Sequence, residues 1–422
     1  MIIKRLFWNL YALCYDSLNS FRPYQEMMGV ILDYLRLGSG QKVLDAGCGT
    51  GNLEMRILQK NIDNLEIKAV DFSGAMLRRA EKKLAKDRSV VISEIDLNDK
   101  LPFPDNHFDR VVSVNVVHIL KNPERAIHEF ARVLAHGGKL IVVTLKEGYE
   151  MPLILKAHSH IHEDDAQWKT KNLLAWFRLV FRTFGFNGTA VKFIFVALFN
   201  KAVDREIKGF SRKELERIFF EAGLEMENSG LIYGDQEFIY VVRKSEVWIK
   251  LAKTEKELRD CFVLRKKIFV EEFGVVEKNA ALDTETDEYD PHSFHFLVIE
   301  NGEPIGTLRL IKATASGGAR GLYEFSDSLD LDKALEFSRV SLIKEKRGNF
   351  GIFIKMLKYT HKFAVDAGYN YFCGTIRVSL LKFLKRLKWD IIFESEPFEY
   401  EKKWMVSAFI FPIGSNLKKI PN

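Results

Sequence analysis

The sequence predicts two α/β domains in series, the first a doubly wound, largely parallel sheet. Three observations carry this. Apolar runs alternate with helical stretches through the first half, the order required by a sheet with helices on both faces. One of those runs, Lys42-Val43-Leu44-Asp45-Ala46, leads into a turn holding Gly47, Gly49 and Gly51, where glycine lets the backbone approach a ligand closely. Around residue 245 the pattern restarts with a new strand, and 422 residues exceed one average domain.

In chain order, helix 24–36 precedes strand 42–46 and a helix that starts at about 51. Strand 66–71, helix 73–86 and strand 89–94 follow, then Ile95-Asp96-Leu97. Strand 109–114 and helix 121–134 come next, with Gly137-Gly138 expected to separate that helix from strand 139–144. Helix 211–223 and strand-like runs 229–234 and 237–243 end the first half. The second half reads as strand 247–251, helix 254–266, an acidic loop, and strands 294–300, 305–312 and 335–341. Helix 350–366, strand 370–374, helix 378–387 and a strand-rich end complete it.

A segment at 150–209 interrupts the first pattern. Between 172 and 199 it sets Trp176, Phe177, Phe181, Phe184, Phe193 and Phe195 among Arg178, Arg182 and Lys192. That composition suits a lid packed on the core, a cover for a lipid-like substrate, or a helix lying in a membrane surface.

Hydrophobic residues at 47% and charged residues at 28% describe an ordinary soluble globular chain. The net charge of +6 permits an acidic carrier protein, a phospholipid surface or a nucleic acid as partner and requires none of them. Cys14, Cys48, Cys261 and Cys373 lie far apart, so a reducing cytoplasm is expected and neither a disulfide framework nor a zinc site is indicated. Asn9 and Asp16 interrupt the apolar N-terminus, which argues against a signal peptide, and no run reaches the ~18 apolar residues of a spanning helix. His158, His160 and His162 alternate without carboxylates at ligand spacing, so no metal is assigned. His118 and His128 read as structural, as do Asp109 and Ser113.

The glycine turn is not the dinucleotide fingerprint, because its spacing is Asp-x-Gly-x-Gly-x-Gly. Together with Val70-Asp71-Phe72-Ser73 and Leu101-Pro102-Phe103-Pro104-Asp105, it resembles the turn of class I S-adenosylmethionine-dependent methyltransferases, a likeness covering residues 1–243 of a domain set at 1–245. The resemblance implies a Rossmann-like seven-stranded sheet. It implies that Asp45, Gly47, Gly49 and Gly51 hold the methionine portion of S-adenosylmethionine and that Asp71 takes the ribose hydroxyls. Phe72 and Met76 would pack on the adenine, Asp96 and Leu97 would line its edge, and Asn115 would sit beside the sulfonium. Tyr11 and Tyr15 resemble the aromatic lid of some members. The transfer itself needs positioning more than acid–base help.

The domain set at 246–422 carries Arg265-x-x-x-Phe269, Asp287-Glu288-Tyr289-Asp290, Gly306-Thr307-Leu308-Arg309 and Glu336-Phe337-Ser338-Arg339. Together these resemble the acyl-homoserine-lactone synthases and N-acyl amino acid synthases, variants of the Gcn5-type N-acyltransferase fold. The likeness implies that Glu336 is the base for the attacking amine, with Ser338 and Arg339 beside it. Arg265, Phe269, Asp287, Asp290 and Arg309 would shape the acyl and acceptor site. Arg309 and Arg339 are expected to pair with Asp287, Asp290 or Glu336, ordering the acidic loop or holding an acceptor carboxylate.

Two departures matter. Val275 replaces the tryptophan usual in lactone synthases, which favours an amine other than S-adenosylmethionine. Arg347-Gly348-Asn349-Phe350-Gly351 carries only half of the usual coenzyme A turn, which favours an acyl carrier protein thioester over acyl-coenzyme A as donor. Lys344, Lys346, Arg347, Lys355 and Lys358 would meet such an acidic carrier.

The reading is a cytoplasmic bifunctional transferase, possible at a membrane periphery through 172–199, acting on a lipid-like or signal-like small molecule and not on nucleic acid. The alternatives for the second half are a coenzyme A-dependent acetyltransferase and a non-catalytic module that binds lipid or carrier.

Overall fold

Seven strands build the first sheet: β1 (Lys42–Ala46), β2 (Glu66–Asp71), β3 (Val90–Glu94), β4 (Phe108–Val114), β5 (Leu134–Leu145), β6 (Leu224–Ile232) and β7 (Glu237–Lys244). Their order is β3-β2-β1-β4-β5-β7-β6, with β1 to β5 parallel and β7 antiparallel to both its neighbours. This computed structural model describes residues 2–13, 15–85, 87–150, 153, 208–274, 283–315, 330–400, 404–417 and 420. The aromatic stretch 172–199, the histidines at 158, 160 and 162, and Val275 lie outside the described residues. The chain divides into two units, Met1–Ser245 and Glu246–Asn422.

The first sheet is buried on both faces because its strands alternate between two cores. Val111, Leu140, Val142, Tyr240 and Val242 face α5 (Pro123–Val133) and α6 (Arg212–Glu221) through Ile127, Phe130, Leu215 and Phe219. Val112, Ile141, Val143, Ile239 and Val241 face the opposite layer, with Met27 and Ile31 of α2 (Arg22–Leu35) and Leu53 and Ile57 of α3 (Asn52–Leu58). Helix α1 (Ile2–Tyr11) precedes them, and α4 (Gly74–Leu84) follows β2. Side-chain caps start the later helices: Ser73 accepts from the Met76 N–H, Asn122 from Arg125 and Ser211 from Glu214.

Two boundaries differ from expectation. β5 begins directly after α5, and Gly137-Gly138 lie within it where the register with β4 shifts, so the glycines form a bulge and not a separating turn. β6 ends at Ile232 because Tyr233, Gly234 and Asp235 all take positive φ and reverse the chain.

The second unit has one sheet ordered β13-β15-β12-β11-β10-β9-β8, with β14 also paired to β15. Its strands are β8 (Val247–Leu251), β9 (Ser293–Glu300), β10 (Glu303–Lys312), β11 (Ala334–Leu342), β12 (Tyr371–Arg377), β13 (Phe393–Glu394), β14 (Phe398–Tyr400) and β15 (Trp404–Pro412). All pairs are antiparallel except β11 with β12, which α8 (Phe350–Asp366) connects. Helix α7 (Glu255–Arg265) opens on a capping box between Thr254 and Glu257 and continues as a π-helical stretch, Lys266–Glu272. α9 (Val378–Arg386) and α10 (Ile413–Leu417) complete the unit's described helices.

Candidate functional sites

The first site lies where the strand order of the first sheet reverses, between β1 and β4 at their carboxyl ends. Gly47, Gly49 and Gly51 take φ values of 103°, 56° and 79°. A Cβ at 47 would lie 2.2 Å from Val116 Cγ2, and one at 51 would lie 2.9 Å from Leu84 Cδ1. Gly47→Ala is therefore expected to destabilise the first unit by about 2–4 kcal/mol, summing backbone strain and overpacking; denaturant unfolding of the variant checks this.

Asp71 ties the turn to the end of β2. Its Oδ2 accepts from the Gly49 N–H at 3.0 Å and its Oδ1 from the Ser73 N–H at 2.8 Å, while Gly47 and Cys48 donate to the Val70 carbonyl. Tyr15 lies 3.5 Å from a Cβ built at Gly49, so the early tyrosine does reach the turn. Behind it, Lys83 Nζ contacts Asp16 Oδ1 at 2.5 Å, Asn52 Oδ1 at 2.7 Å and Thr50 Oγ1 at 3.0 Å.

Asp45 has an unforeseen partner. Glu54, in the first turn of α3, is fully buried, and its carboxyl is within hydrogen-bonding reach of the Asp45 carboxyl. Oδ1 of Asp45 and both oxygens of Glu54 are buried with no donor from the chain. Burial, then the neighbouring carboxylate, pushes the Asp45 carboxyl well above the ordinary range, and burial pushes Glu54 upward too. A buried cation would satisfy both.

The other residues anticipated around this cofactor fare differently. Phe72 is half-buried beside Asp71, whereas Met76 and Leu97 are fully in the core. Asp96 Oδ1 accepts from the Asn98 backbone and side chain at 2.9 and 2.7 Å, forming an Asx turn. Asn115 follows β4 in the left-handed conformation, φ 58°, and its Nδ2 donates to Glu237 Oε1 at 3.0 Å. Sequence reasoning missed Glu54 and Glu237. His118 sits with Nδ1 3.1 Å from Thr144 Oγ1, and burial holds its ring down to about 4. Glu124, His128 and Glu221 come together on α5 and α6, but Arg217 lies 3.5 and 3.1 Å from the two acids, so this is a salt-bridged surface.

In the second unit the arginines and the acidic loop condense into one network. Arg265, fully buried, pairs with Glu285 and, at 2.6 Å, with Asp290. Arg309 Nη1 reaches Asp287 at 2.5 Å and Asp290 at 2.6 Å, and its Nη2 donates to Ser338 Oγ at 3.0 Å. Arg339 Nη2 lies 2.8 Å from Glu285 and 3.3 Å from Asp287, with its guanidinium 5.6 Å from the Phe269 ring centre. Three arginines thus meet three acids. Burial opposes ionisation of Asp287, Asp290 and Glu285, yet the arginine contacts hold all three below the ordinary carboxyl range. The described ion pairs of Arg309 and Arg339 go to this loop and not to Glu336, and Glu285 was not anticipated.

Glu336 is half-buried on β11, opposite Cys373 of β12 in register. Pairing between β11 and β12 runs only from Ala334/Tyr371 to Phe337/Gly374, although both strands continue. A bulge lies just beyond, where β11 shifts register against β10 and Arg339 takes φ 49°. The two strands therefore part at Phe337, next to Glu336, Ser338 and Arg339. In the following turn, Arg347 donates to the Leu342 carbonyl at 2.8 Å, pairs with Glu272 and stacks on Phe273 at 4.5 Å.

Comparison with known proteins matches these two sites to two kinds of domain. Residues 44–142 match the model of the methyltransferase domain and residues 264–354 that of the acetyltransferase (GNAT) domain. Both units therefore carry transferase domains, the first on a parallel Rossmann-like sheet. The chain is 31% identical over 145 residues to the ubiquinone/menaquinone biosynthesis C-methyltransferase UbiE of Yersinia enterocolitica, and equally to that of Yersinia pestis. The match covers 33% of this chain and 57% of those relatives, so the chain spans little more than half their length. Among solved structures, an S-adenosylmethionine-dependent methyltransferase from Aquifex aeolicus is similar at 18% identity and a TM-score of 0.34, covering 53% of this chain and 90% of that one. The [4+2]-cyclase SpnF is similar at 16% identity and a TM-score of 0.40, covering 57% and 95%. No helix among the described residues is long and apolar enough to cross a membrane.

Proposed function

We propose that this chain is a cytoplasmic bifunctional transferase: one unit transfers a methyl group from S-adenosylmethionine, and the other moves a fatty acyl group from a carrier thioester to an amine. The observation that carries the first half is the glycine turn held by Asp71, with the buried Asp45–Glu54 carboxyls lacking donors beside it. These residues fit a ligand with a ribose diol and an ammonium. Asp71 would exchange backbone bonds for the diol, and Asp45 and Glu54 would receive the cation. When bound, S-adenosylmethionine supplies an activated methyl; the protein's task is to orient it and exclude water.

For the second half, support comes from the parting of β11 and β12 beside Glu336. A thioester carbonyl lying in that opening would meet backbone groups that the bulge takes out of the ladder, suited to oxyanion stabilisation. Glu336 would accept the amine's proton through a water. The Arg265–Arg309–Arg339 network would fix the floor of the acceptor site. Relatives that serve ubiquinone and menaquinone biosynthesis, and the aromatic stretch at 172–199, favour a lipid-like acceptor for the methyl group, with possible contact with a membrane surface.

Mass spectrometry of lipid extracts from cells expressing wild type, Glu336→Gln and Asp45→Asn tests this reading. The expected result is an acylated amine that disappears with Glu336→Gln and loses one methyl mass with Asp45→Asn. Indistinguishable extracts would sink it. A second reading, a coenzyme A-dependent N-acetyltransferase, is favoured by the description of the matched domain. Titration with coenzyme A and with acyl carrier protein separates the two donors.

A further inference from the structure

A second polar pair stands at the same sheet edge and takes no part in holding the donor. Asn115 keeps a left-handed backbone that a non-glycine residue rarely adopts, a form of strain that collects at functional sites. Its neighbour Val116 abuts Gly47, so Asn115 borders the crevice between β1 and β4. Glu237 opens β7 opposite Leu145, the last residue of β5, and is thereby returned to the same edge. The two side chains are joined by the 3.0 Å bond from Asn115 Nδ2 to Glu237 Oε1.

What remains of the pair is all acceptor. Glu237 is 4% exposed, and its Oε2, like Asn115 Oδ1, is buried with no hydrogen-bond partner. Each such oxygen costs on the order of 1–3 kcal/mol, and buried polar groups are otherwise almost always satisfied. No described cation forms an ion pair with Glu237. Tyr233, close enough to sense the carboxylate, is the titratable group beside it, with Tyr11 and Tyr24 around that phenol. Burial pushes the Glu237 carboxyl up to about 8, the range of a proton acceptor working near neutrality.

Resting on the methyl-transfer reading above, we propose that Glu237, positioned by Asn115, binds the methyl-accepting atom and takes its proton. The acceptor is then an N–H or O–H nucleophile. Its lone pair forms the bond to the methyl carbon, the donor sulfur keeps the electrons of the bond that breaks, and the nucleophile's proton passes to Glu237 Oε2.

Sinefungin tests this without knowledge of the acceptor, because it carries an ammonium where the transferable methyl would be. Binding of sinefungin and S-adenosylhomocysteine is measured by calorimetry at neutral pH for wild type, Glu237→Gln and Asn115→Gly, the last keeping the left-handed backbone accessible. Wild type is expected to favour sinefungin by about tenfold or more, the scale of one charge-assisted contact. Glu237→Gln is expected to bring the two ligands to near parity with S-adenosylhomocysteine affinity unchanged within about twofold. Asn115→Gly is expected to lower the preference about threefold, since it frees the carboxyl's orientation. An undiminished preference in both variants overturns the proposal. Failure of wild type to bind either ligand overturns the donor-site reading, and this proposal with it.

Discussion

Glu54→Gln is expected to bind S-adenosylmethionine without the proton release that accompanies binding to the wild-type chain. Two adjacent buried carboxyls cannot both ionise, so the free protein holds a proton between Asp45 and Glu54. The other charged groups facing the pair are Asp71, which reinforces the effect, and Lys83, which opposes it at Glu54. An incoming ammonium replaces that proton. Affinity should therefore rise with pH by up to about tenfold per unit until the shared proton is lost in the free protein. Asp45→Asn should cost about a hundredfold in affinity, in the range of charged hydrogen bonds. Calorimetry in two buffers of different ionisation enthalpy reads the proton directly; equal apparent enthalpies would refute the shared proton. The stability sign also follows. These carboxyls have raised folded values, so their contribution is full below the ordinary carboxyl range and is lost as pH rises through the folded value. Glu54→Gln should make the free first unit more stable than wild type at pH 8 and not at pH 4.

Arg309→Ala is expected to unfold the second unit at temperatures where the first still binds its cofactor. Arg309 is 1% exposed and balances Asp287 and Asp290; removing it strands buried carboxylates, at a cost of about 3–5 kcal/mol. Arg309→Lys should recover only part, because an ammonium cannot span Asp287, Asp290 and Ser338 as the guanidinium fork does. The pH dependence has the opposite sign to that of the first unit. Glu285, Asp287 and Asp290 are held below their ordinary values, so their stabilisation is present above that range and lost as pH falls through the depressed values. Thermal unfolding at pH 7 and pH 3.5, with cofactor affinity as the marker of the first unit, checks both points. A single, unshifted transition in Arg309→Ala would show that the network is not needed for stability.

Much of this was legible in local sequence. The glycine turn, Asp71 and the strand–helix alternation are encoded by neighbours, because a positive φ and a period-2 apolar run are properties of a few adjacent residues. Glu54 and Glu237 were not. On α3 and β7 they read as ordinary acidic positions; only the sheet brings one beside Asp45 and the other beside Asn115, 122 residues away in sequence. Glu285 was missed for a related reason: its position beside Arg265 comes from how the acidic loop folds back, not from its spacing. Gly137-Gly138 misled in the opposite direction, since a glycine pair marks a bulge as readily as a turn.

The π-helical stretch at the end of α7 bears on tolerance to length change. Phe273 donates its N–H to the Ile268 carbonyl, five residues back, so the winding stores one residue more than an α turn would. Deleting one residue between 266 and 272 would restore ordinary winding, yet it would turn everything beyond by about 100°. Glu272 and Phe273 would leave the face on which they meet Arg347. The helix is thus held out of phase with itself, and its angular offset, more than any single side chain there, aims its last turn at the strand opening.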